Sequence, residues 1–444
     1  MDREQVDLIV QNGSVLIMDE AFTVVEDGAV AVAGQYIAEV GPGADVRKKY
    51  QSRDILDAEG GIVLPGLVNA HTHAAMTLFR GIADDLPLME WLNDYIFPAE
   101  THLNPEVVYD GTLLACAEMI RSGTTCFCDM YLFEQEVARA ARDAGLRAVV
   151  GEVLYDFPSP NYGPPQEGLR YSEQLIRDWK GHPIIYPAVE PHAVYTCSPR
   201  YLEQIMELAV RHSVPYIIHL AESPGELAQV REKFGKTPVE HMEELGLLSD
   251  LVIADHSVCL SPGEIEIYRR RKVKVAHCPE SNMKLASGVA PVPHMLRAGV
   301  VVGLGTDGCA SNNNLDLFQE MDTAAKLHKV HTMDPTVMDA ASVLSMATRG
   351  GAAALGLAKE IGSLEPGKRA DLIVVETRSP HLTPMYNPYS HLVYAARGAD
   401  VRHTVINGRV AMRDRHLLTL DEEAVMARAR EIAAEIRKTV TIKT

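Results

Sequence analysis

The stretch that decides the fold is PGLVNAHTH, which runs from Pro65 to His73. It joins a Pro-Gly pair to a short apolar run that ends in two histidines separated by one threonine. On a β-strand, residues i and i+2 point to the same face, so His71 and His73 would project together, with Thr72 opposed. Two such imidazoles can bind one metal ion. A lone His-x-His is more often a polar strand end, so the remaining ligands must come from elsewhere in the chain.

Seven further apolar, β-branched runs follow, mostly separated by segments with helical periodicity. The runs are TTCFCDM (124–130), RAVVGEVL (147–154), PIIYPAVEPH (183–192), VPYIIHLAE (214–222), LVIADHSVCL (251–260), VKVAHCPESN (273–282) and VVVGLGTDG (300–308). Eight strands that alternate with helices and are apolar on both faces predict an α/β fold, a (β/α)8 TIM-like barrel. Only the gap after the first strand is long, at about fifty residues. Within it, LMEWLNDYIFPAE (88–100) predicts an extra helical cap near the barrel mouth.

The first sixty or so residues favour short strands with turn signals. Asn12-Gly13 and Asp27-Gly28 each lie between apolar runs, which is typical of hairpins. The β-rich pattern returns after residue 360, with GSLEPGKRADLIVVE and VRHTVINGRVAM. We therefore expect one small β-sandwich built from residues 1–62 and 361–444, around a barrel formed by residues 63–360. The final stretch, DEEAVMARAREIAAEIRK, predicts an amphipathic helix that packs or oligomerises.

The composition of the 444 residues excludes several classes of partner. A net charge of −18 argues against nucleic acid and anionic membranes, because both require a basic face. The seven cysteines are scattered, with no C-x-x-C pair, so a cysteine-based zinc site is excluded and reduced thiols are expected. The acidic start MDREQVDLIV is unlike a signal peptide, and no apolar run reaches membrane-spanning length. We expect a cytoplasmic protein.

Polar residues gather where the predicted strands end, which is where barrel enzymes carry their active sites. Each residue alone has an ordinary explanation, as a hydrogen-bonded core histidine or a turn aspartate. Their shared placement on five strands favours a metal site instead. The residues concerned are His71, His73, His192, His219, Glu222, His256 and Asp307.

Three neutral imidazoles and one carboxylate suit Zn²⁺, with Fe²⁺ or Mn²⁺ as alternatives, and leave a position open for water. We expect the ligands of one divalent ion to be His71, His73, His219 and Asp307. Such an ion lowers the pKa of a bound water from 15.7 toward ~7. Glu222 is then placed for proton transfer to a substrate, while His256 could orient the attacking oxygen.

Five motifs resemble the amidohydrolase superfamily: PGLVNAHTHAAMTLFRG, IHLAE, HCPESNMKL, GLGTDGCASNN and GSLEPGKRADLIVV. Within that superfamily they look most like the methylthioadenosine/S-adenosylhomocysteine deaminases, beside the triazine chlorohydrolases. The resemblance covers nearly the whole chain. It implies a (β/α)8 barrel flanked by a β-sandwich, and often a homo-oligomer.

The resemblance also assigns roles by position. It places the ligands of a mononuclear metal site on His71, His73, His219 and Asp307, the proton-shuttling glutamate on Glu222 and the hydroxide-orienting histidine on His256. Binuclear relatives use a carboxylated lysine at the fourth strand, and IIYPAVEPH has none, which favours a single metal. The ribose-binding glutamate matches Glu100, and the histidine that reaches the purine matches His192.

One departure concerns the substrate's 5′ end. Some relatives use arginines near the third strand for the homocysteine carboxylate, whereas this chain has Glu152 there, with Arg170 as a distant substitute. A carboxylate facing Glu152 would be repelled, so S-adenosylhomocysteine is a less secure substrate than methylthioadenosine or adenosine.

The sequence therefore predicts an enzyme that deaminates adenosine analogues to inosine analogues and ammonia. The alternatives are a related hydrolase that acts on another ring, such as a triazine chloride or the amine of guanine or cytosine, and a binding protein without activity. The order of preference among methylthioadenosine, S-adenosylhomocysteine and adenosine stays open.

Overall fold

The computed structural model describes residues 3–86 and 88–438, with the side chains of 88 and 89 excepted. The outermost residues of the two predicted terminal segments, and residue 87 before the predicted cap, lie outside the described part. No described helix is long and apolar enough to cross a bilayer. All seven cysteines are described, and none forms a disulfide.

Eight parallel strands form the predicted barrel. The first to fourth strands pair in sequence, and so do the fifth to eighth. The strands are Leu67–Thr72, Thr124–Tyr131, Arg147–Leu154, Ile185–Pro187 continued by Glu190–Pro191, Tyr216–Leu220, Val252–His256, Lys274–His277 and Val302–Leu304.

Two contacts close the barrel. A parallel bridge joins Val189 to Tyr216, between the fourth and fifth strands. Beyond the eighth strand, the Asp307 N–H donates to the His71 carbonyl at 3.0 Å. The predicted (β/α)8 barrel is therefore confirmed.

Helices follow every barrel strand. Those after the first are Ala74–Phe79 (3₁₀), Leu88–Trp91, Leu92–Ile96 (π), Phe97–Glu100 and Pro105–Arg121. Those after the second to fifth are Glu134–Ala144, Pro165–Trp179, Pro199–His212, Pro224–Phe234 and Pro238–Glu244. The rest of the barrel helices are Pro262–Arg271, Pro279–Lys284, Val292–Ala298, Leu317–Thr332, Ala340–Ser345, Met346–Gly350 (π) and Gly351–Ala354.

The predicted cap at the barrel mouth is present as the continuous helical stretch from Leu88 to Glu100. The predicted C-terminal helix is Glu422–Ile436, and it packs along Pro105–Arg121 through Arg428, which pairs with Asp110 at 2.8 Å. The helices outside the barrel are completed by Gly43–Lys49, Pro380–Leu382 (3₁₀), Pro388–Tyr394 and Gly398–Asp400 (3₁₀).

Both ends of the described chain contribute to one nine-stranded sheet. Its strands lie in the order His416–Leu417, Arg409–Arg413, Val401–Ile406, Leu372–Val375, Ile62–Pro65, Leu8–Leu16, Val24–Ala33 and Tyr36–Pro42, with Ile55–Asp57 also paired to Leu8–Leu16. Two short strands, Glu4–Gln5 and Tyr50–Gln51, pair separately. The predicted sandwich thus takes the form of a single continuous sheet.

The two faces of this sheet bury different cores. Val10, Val30 and Leu372 lie in a core that the sheet forms by itself, whereas Leu64 and Ile373 join the core of the barrel. We retain 1–62, 63–360 and 361–444 as proposed domain limits, although the first limit falls at the edge of a strand of this sheet.

The prediction of hairpins at Asn12-Gly13 and Asp27-Gly28 was wrong. Each pair lies inside one long strand, and the register of the two strands shifts around Gly13, which pairs with Gly28. Asn12 and Asp27 have positive φ, as in a turn, but here that conformation makes bulges. A Cβ on Gly13 would lie 2.8 Å from the Cβ of Ala58, so the glycine is required by close packing rather than by a turn.

Buried carboxyl groups occupy the barrel interior. Asp129, Glu152, Glu190 and Asp255 are fully buried, and neither oxygen of Glu190 has a hydrogen-bond partner among the described residues. Gly151 makes room for this side chain, because a Cβ there would lie 2.4 Å from Cγ of Glu190. Burial, and then the neighbouring Asp255, Asp129 and Glu152 carboxylates, raise the pKa of Glu190 well above its usual value.

We predict that Glu190→Gln makes the protein more stable at alkaline pH. In wild type the unfolded chain loses the Glu190 proton at the usual glutamate pKa, while the folded chain keeps it. The free energy of unfolding therefore falls as pH rises beyond that pKa, by about 1.4 kcal/mol per pH unit for one proton. The amide cannot titrate. Calorimetry should give a higher Tm than wild type at about pH 9 and a similar Tm at about pH 5. The exposed Glu203→Gln is the control, and an unchanged pH slope in Glu190→Gln would contradict the prediction.

Candidate metal centre and active site

Three imidazoles converge at the carboxyl end of the barrel because their strands end there. His71 belongs to the first strand, His73 follows it and His219 belongs to the fifth. The Nδ1–H of His73 donates to the Met130 carbonyl, and that of His219 donates to the His192 carbonyl at 2.9 Å. These bonds fix the rings so that both Nε2 atoms are free to bind a metal.

The potential ligand atoms lie close together. Those of His71, His73 and His219 fall within 4.8 Å of one another, and so do those of His71, His256 and Asp307. Oδ1 of Asp307 lies 3.1 Å from Nε2 of His73 and 3.6 Å from Nε2 of His71. The structure therefore brings together the four predicted ligands, with His256 beside them.

The electrostatics of this cluster fit a cation. Burial alone would lower the pKa of His71, but Asp255 and Asp307 outweigh it and raise that pKa to about 10. Burial and the neighbouring imidazoles hold the pKa of His219 well below its usual value. Neither ring nitrogen of His71 makes a hydrogen bond within the described chain. Two carboxylates facing such an unsatisfied ring attract one positive charge, and three imidazoles with a carboxylate are a donor set for one divalent metal ion.

Two hydroxyls hold Asp307 in place. Ser281 and Ser311 donate to its Oδ2 at 2.6 and 2.9 Å, and the Gly308 N–H donates to its Oδ1 at 2.8 Å. Asp307 has a φ of 62°, which is a strained backbone conformation for a residue with a side chain. The three hydrogen bonds stabilise this conformation. The sequence analysis did not identify the two serines, although both lie in the quoted motifs HCPESNMKL and GLGTDGCASNN.

Asn282 and Asp255 are further residues that the sequence analysis missed. The Nδ1–H of His256 donates to Oδ1 of Asn282 at 3.0 Å, which leaves the His256 Nε2 for the cluster. Oδ2 of Asp255 lies 3.2 Å from Nδ1 of His71. Asp255 directly precedes His256 in LVIADHSVCL, and successive side chains of a strand point to opposite faces. This alternation was the available signal that the Asp255 side chain points to a different face of the strand from the His256 side chain.

Glu222 lies in the turn between the fifth strand and the helix Pro224–Phe234. Ser223 caps that helix, and Oε2 of Glu226 accepts the Glu222 N–H at 2.7 Å, so the backbone of the turn is fixed. The Glu222 side chain lines the same cleft as His73, His219 and Asp307. It is thus positioned to exchange a proton with a molecule bound above the metal centre.

This cleft opens to solvent, and the space between its walls, open solvent included, is about 700 Å³. His192 and Glu100 both line it, as the resemblance implied. Burial and His73 lower the pKa of His192 to about 3, so its ring is neutral. Burial raises the pKa of Glu100 to about 7, although Tyr131, whose hydroxyl donates to Glu100 Oε1 at 2.8 Å, and His73 oppose the shift.

Much of the rest of the wall is apolar, and the helical cap supplies half of these side chains. The apolar members are Met76, Trp91, Leu92, Ile96, Phe97, Met130, Val153 and Leu285. Tyr131, Tyr155, Tyr195 and Ser311 add hydroxyl groups to the wall. No lysine or arginine lines the cleft within the described residues.

The expectation that Glu152 faces the substrate was wrong. Its carboxylate points away from the cleft and accepts hydrogen bonds from the Glu134 N–H at 3.0 Å and from Asn161 Nδ2 at 2.8 Å. The next residue, Val153, lines the cleft instead, as strand alternation requires. Arg170 lies outside the cleft, with an exposed side chain paired to Glu167.

Comparisons with known proteins agree on a single family. The profile of the amidohydrolase family matches residues 62–411. A 5-methylthioadenosine/S-adenosylhomocysteine deaminase of Syntrophobacter fumaroxidans is 60% identical over 98% of this chain and 100% of its own. A 5'-deoxyadenosine deaminase of Methanosarcina mazei is 47% identical, with 97% and 98% covered. The crystal structure of an adenosine deaminase from Xanthomonas campestris with bound zinc superposes with a TM-score of 0.97 at 41% identity, over 98% of this chain and 100% of that one.

We predict that His71→Ala and Asp307→Ala each fail to retain a metal ion, because each removes one of the four predicted ligands. Elemental analysis after dialysis should find about one ion per chain in wild type and far less in either variant. The exposed His331→Ala, on the helix Leu317–Thr332, is the matched control. Retention of metal by either cluster variant would exclude that residue as a ligand.

Proposed function

The chain belongs to the amidohydrolase family, and we propose that it hydrolyses the 6-amino group of adenosine analogues, giving the inosine analogue and ammonia. The observation that carries this proposal is that Glu222 lines the same cleft as a cluster of three imidazoles and one carboxylate. The relatives named as deaminases of adenosine analogues support the same reaction.

We assign His71, His73, His219 and Asp307 as the ligands of one divalent ion. Zn²⁺ is our choice, since the similar Xanthomonas campestris enzyme carries zinc, while Fe²⁺ and Mn²⁺ suit the same donors. When bound, such an ion lowers the pKa of a coordinated water toward ~7.

The side chains around this position divide the proton transfers between them. Glu222 donates a proton to adenine N1 as the water oxygen adds to C6, and Asp307 accepts a proton from that water. The Nε2 of His256, whose Nδ1 is bonded to Asn282, accepts a hydrogen bond from the attacking oxygen's remaining O–H and so orients it. The proton on Asp307 then passes to the departing amino group, which leaves as ammonia, and the last water proton returns Glu222 to its acid form. The net change adds one water to the ring and releases one ammonia.

The outer part of the cleft recognises the nucleoside. Glu100 accepts hydrogen bonds from the ribose hydroxyls, and the neutral His192 contacts the purine edge. We further propose that a neutral group is preferred at the 5′ position, because much of the surrounding wall is apolar and the wall carries no lysine or arginine among the described residues.

Two cations close in sequence to lining residues, Lys284 beside Leu285 and Arg80 after Met76, are already paired. Lys284 donates to Asp84 at 2.5 Å, and Arg80 pairs with Glu118. A homocysteine carboxylate placed in the cleft would therefore lose hydration without gaining a counter-charge. We also propose, from the family resemblance, a homo-oligomer, and from the unpaired cysteines, a cytoplasmic location.

We predict that Glu222→Gln retains the metal but lowers kcat on methylthioadenosine by about 10²–10⁴-fold, because the amide cannot donate the proton to N1. Loss of the adenine absorbance measures the turnover, and the exposed Glu232→Gln is the control. A near-normal rate in Glu222→Gln would exclude its assigned role. If wild type is inactive on every adenosine analogue but acts on guanine or atrazine, its substrate is a ring other than the adenine of a nucleoside, and the proposed function is rejected.

We predict that methylthioadenosine is deaminated with a kcat/KM at least about tenfold above that of S-adenosylhomocysteine, because the latter must bury or reorient a charged tail. Size is controlled with 5′-butylthio-5′-deoxyadenosine, which has a tail of similar length without charge. The butylthio compound should behave like methylthioadenosine in the same absorbance assay. Equal kcat/KM values for S-adenosylhomocysteine and methylthioadenosine would contradict the preference for a neutral group.

A further inference from the structure

We infer that Tyr131 is a positioning residue for nucleoside recognition, whose hydroxyl holds Glu100 in the orientation that receives the ribose diol. This inference rests on the proposed function, and nothing in the family motifs quoted above assigns a role to Tyr131. It follows from one hydrogen bond and from where its two partners lie in the fold.

The two partners belong to different parts of the molecule. Tyr131 is the last residue of the second barrel strand, and only 4% of it is exposed. Glu100 is the last residue of the short helix Phe97–Glu100 in the cap. The Tyr131 hydroxyl donates to Glu100 Oε1 at 2.8 Å, and the Glu100 carboxylate accepts no other hydrogen bond from the described residues. The carboxylate is therefore anchored to the barrel by this one contact.

The remaining acceptor capacity of Glu100 matches a diol. An ionised carboxylate has about four lone-pair positions and no donor, and the Tyr131 hydroxyl uses one of them. Because Glu100 lines the cleft, Oε2 and the second lone pair of Oε1 are left for a ligand with two adjacent O–H donors. The 2′- and 3′-hydroxyls of ribose are such donors.

The geometry also explains why a hydroxyl, and not only a ring, is needed at residue 131. The Tyr131 ring is fixed in the wall, where its centroid lies 5.8 Å from that of His73. A phenylalanine there would preserve this packing and remove only the donor. The Glu100 side chain, carried by a short helix of the cap, would then be free to rotate away from the diol.

The test compares adenosine with 2′,3′-dideoxyadenosine, which differ only in the diol. For Tyr131→Phe, we expect the KM for adenosine to rise about tenfold or more, with kcat changed by about twofold or less, because the contact that is lost lies away from C6. The KM for the dideoxy compound should be the same in Tyr131→Phe and wild type. In a Glu100→Gln background, the further change Tyr131→Phe should have little effect on either KM, since it would act through Glu100.

Tyr109→Phe is the matched control. Tyr109 also donates to a carboxylate, Asp143 Oδ2, at 2.9 Å, but on the outside of the barrel, so both KM values should stay at the wild-type level. An unchanged adenosine KM in Tyr131→Phe, or equal rises for the two substrates, would overturn the inference while leaving the proposed function standing. Absence of turnover by wild type on both compounds and on methylthioadenosine would reject the proposed function, and the inference with it.

Discussion

The hydrogen bond from the Asp307 N–H to the His71 carbonyl is the contact on which the site depends. At 3.0 Å, it joins the chain beyond the eighth strand to the first and so completes the barrel. It also sets the first and last predicted metal ligands side by side, although 235 residues lie between them in the sequence. Closure of the sheet and assembly of the cation site are therefore one event.

Much of the barrel and of the cluster could be predicted because both follow local rules. His71, His219 and His256 each end an apolar run, and parallel strands of a closed barrel present those ends at one rim. The prediction of hairpins was wrong because Asn12-Gly13 can adopt positive φ both in a turn and in a bulge. Only the pairing with the neighbouring strand decides between the two. Asn282 and Ser281 could not be identified for a similar reason: each matters through a residue on another strand, and no spacing in the sequence records that contact.

The proposed chemistry lies on the barrel, and the proposed recognition is shared between the barrel and one insertion. The predicted metal ligands and Glu222 stand on or directly after barrel strands, which are held from both sides by their neighbours. His192 also follows a barrel strand, whereas Glu100 and much of the apolar wall come from the insertion after the first strand. Tyr131 lies where these two parts meet. The same barrel rim could therefore support hydrolysis of different rings, with the insertion selecting among them.

The strand Ile62–Pro65 of the terminal sheet runs almost directly into Leu67–Thr72, the first strand of the barrel. Its partner on one side is Leu372–Val375, from the opposite end of the chain. During synthesis, the segment that carries the first two metal ligands must therefore wait for more than three hundred further residues before its neighbour emerges. No early portion of the nascent chain can reach a finished state alone. Such late, long-range pairing implies slow maturation, with apolar strands exposed to chaperones until translation is nearly complete.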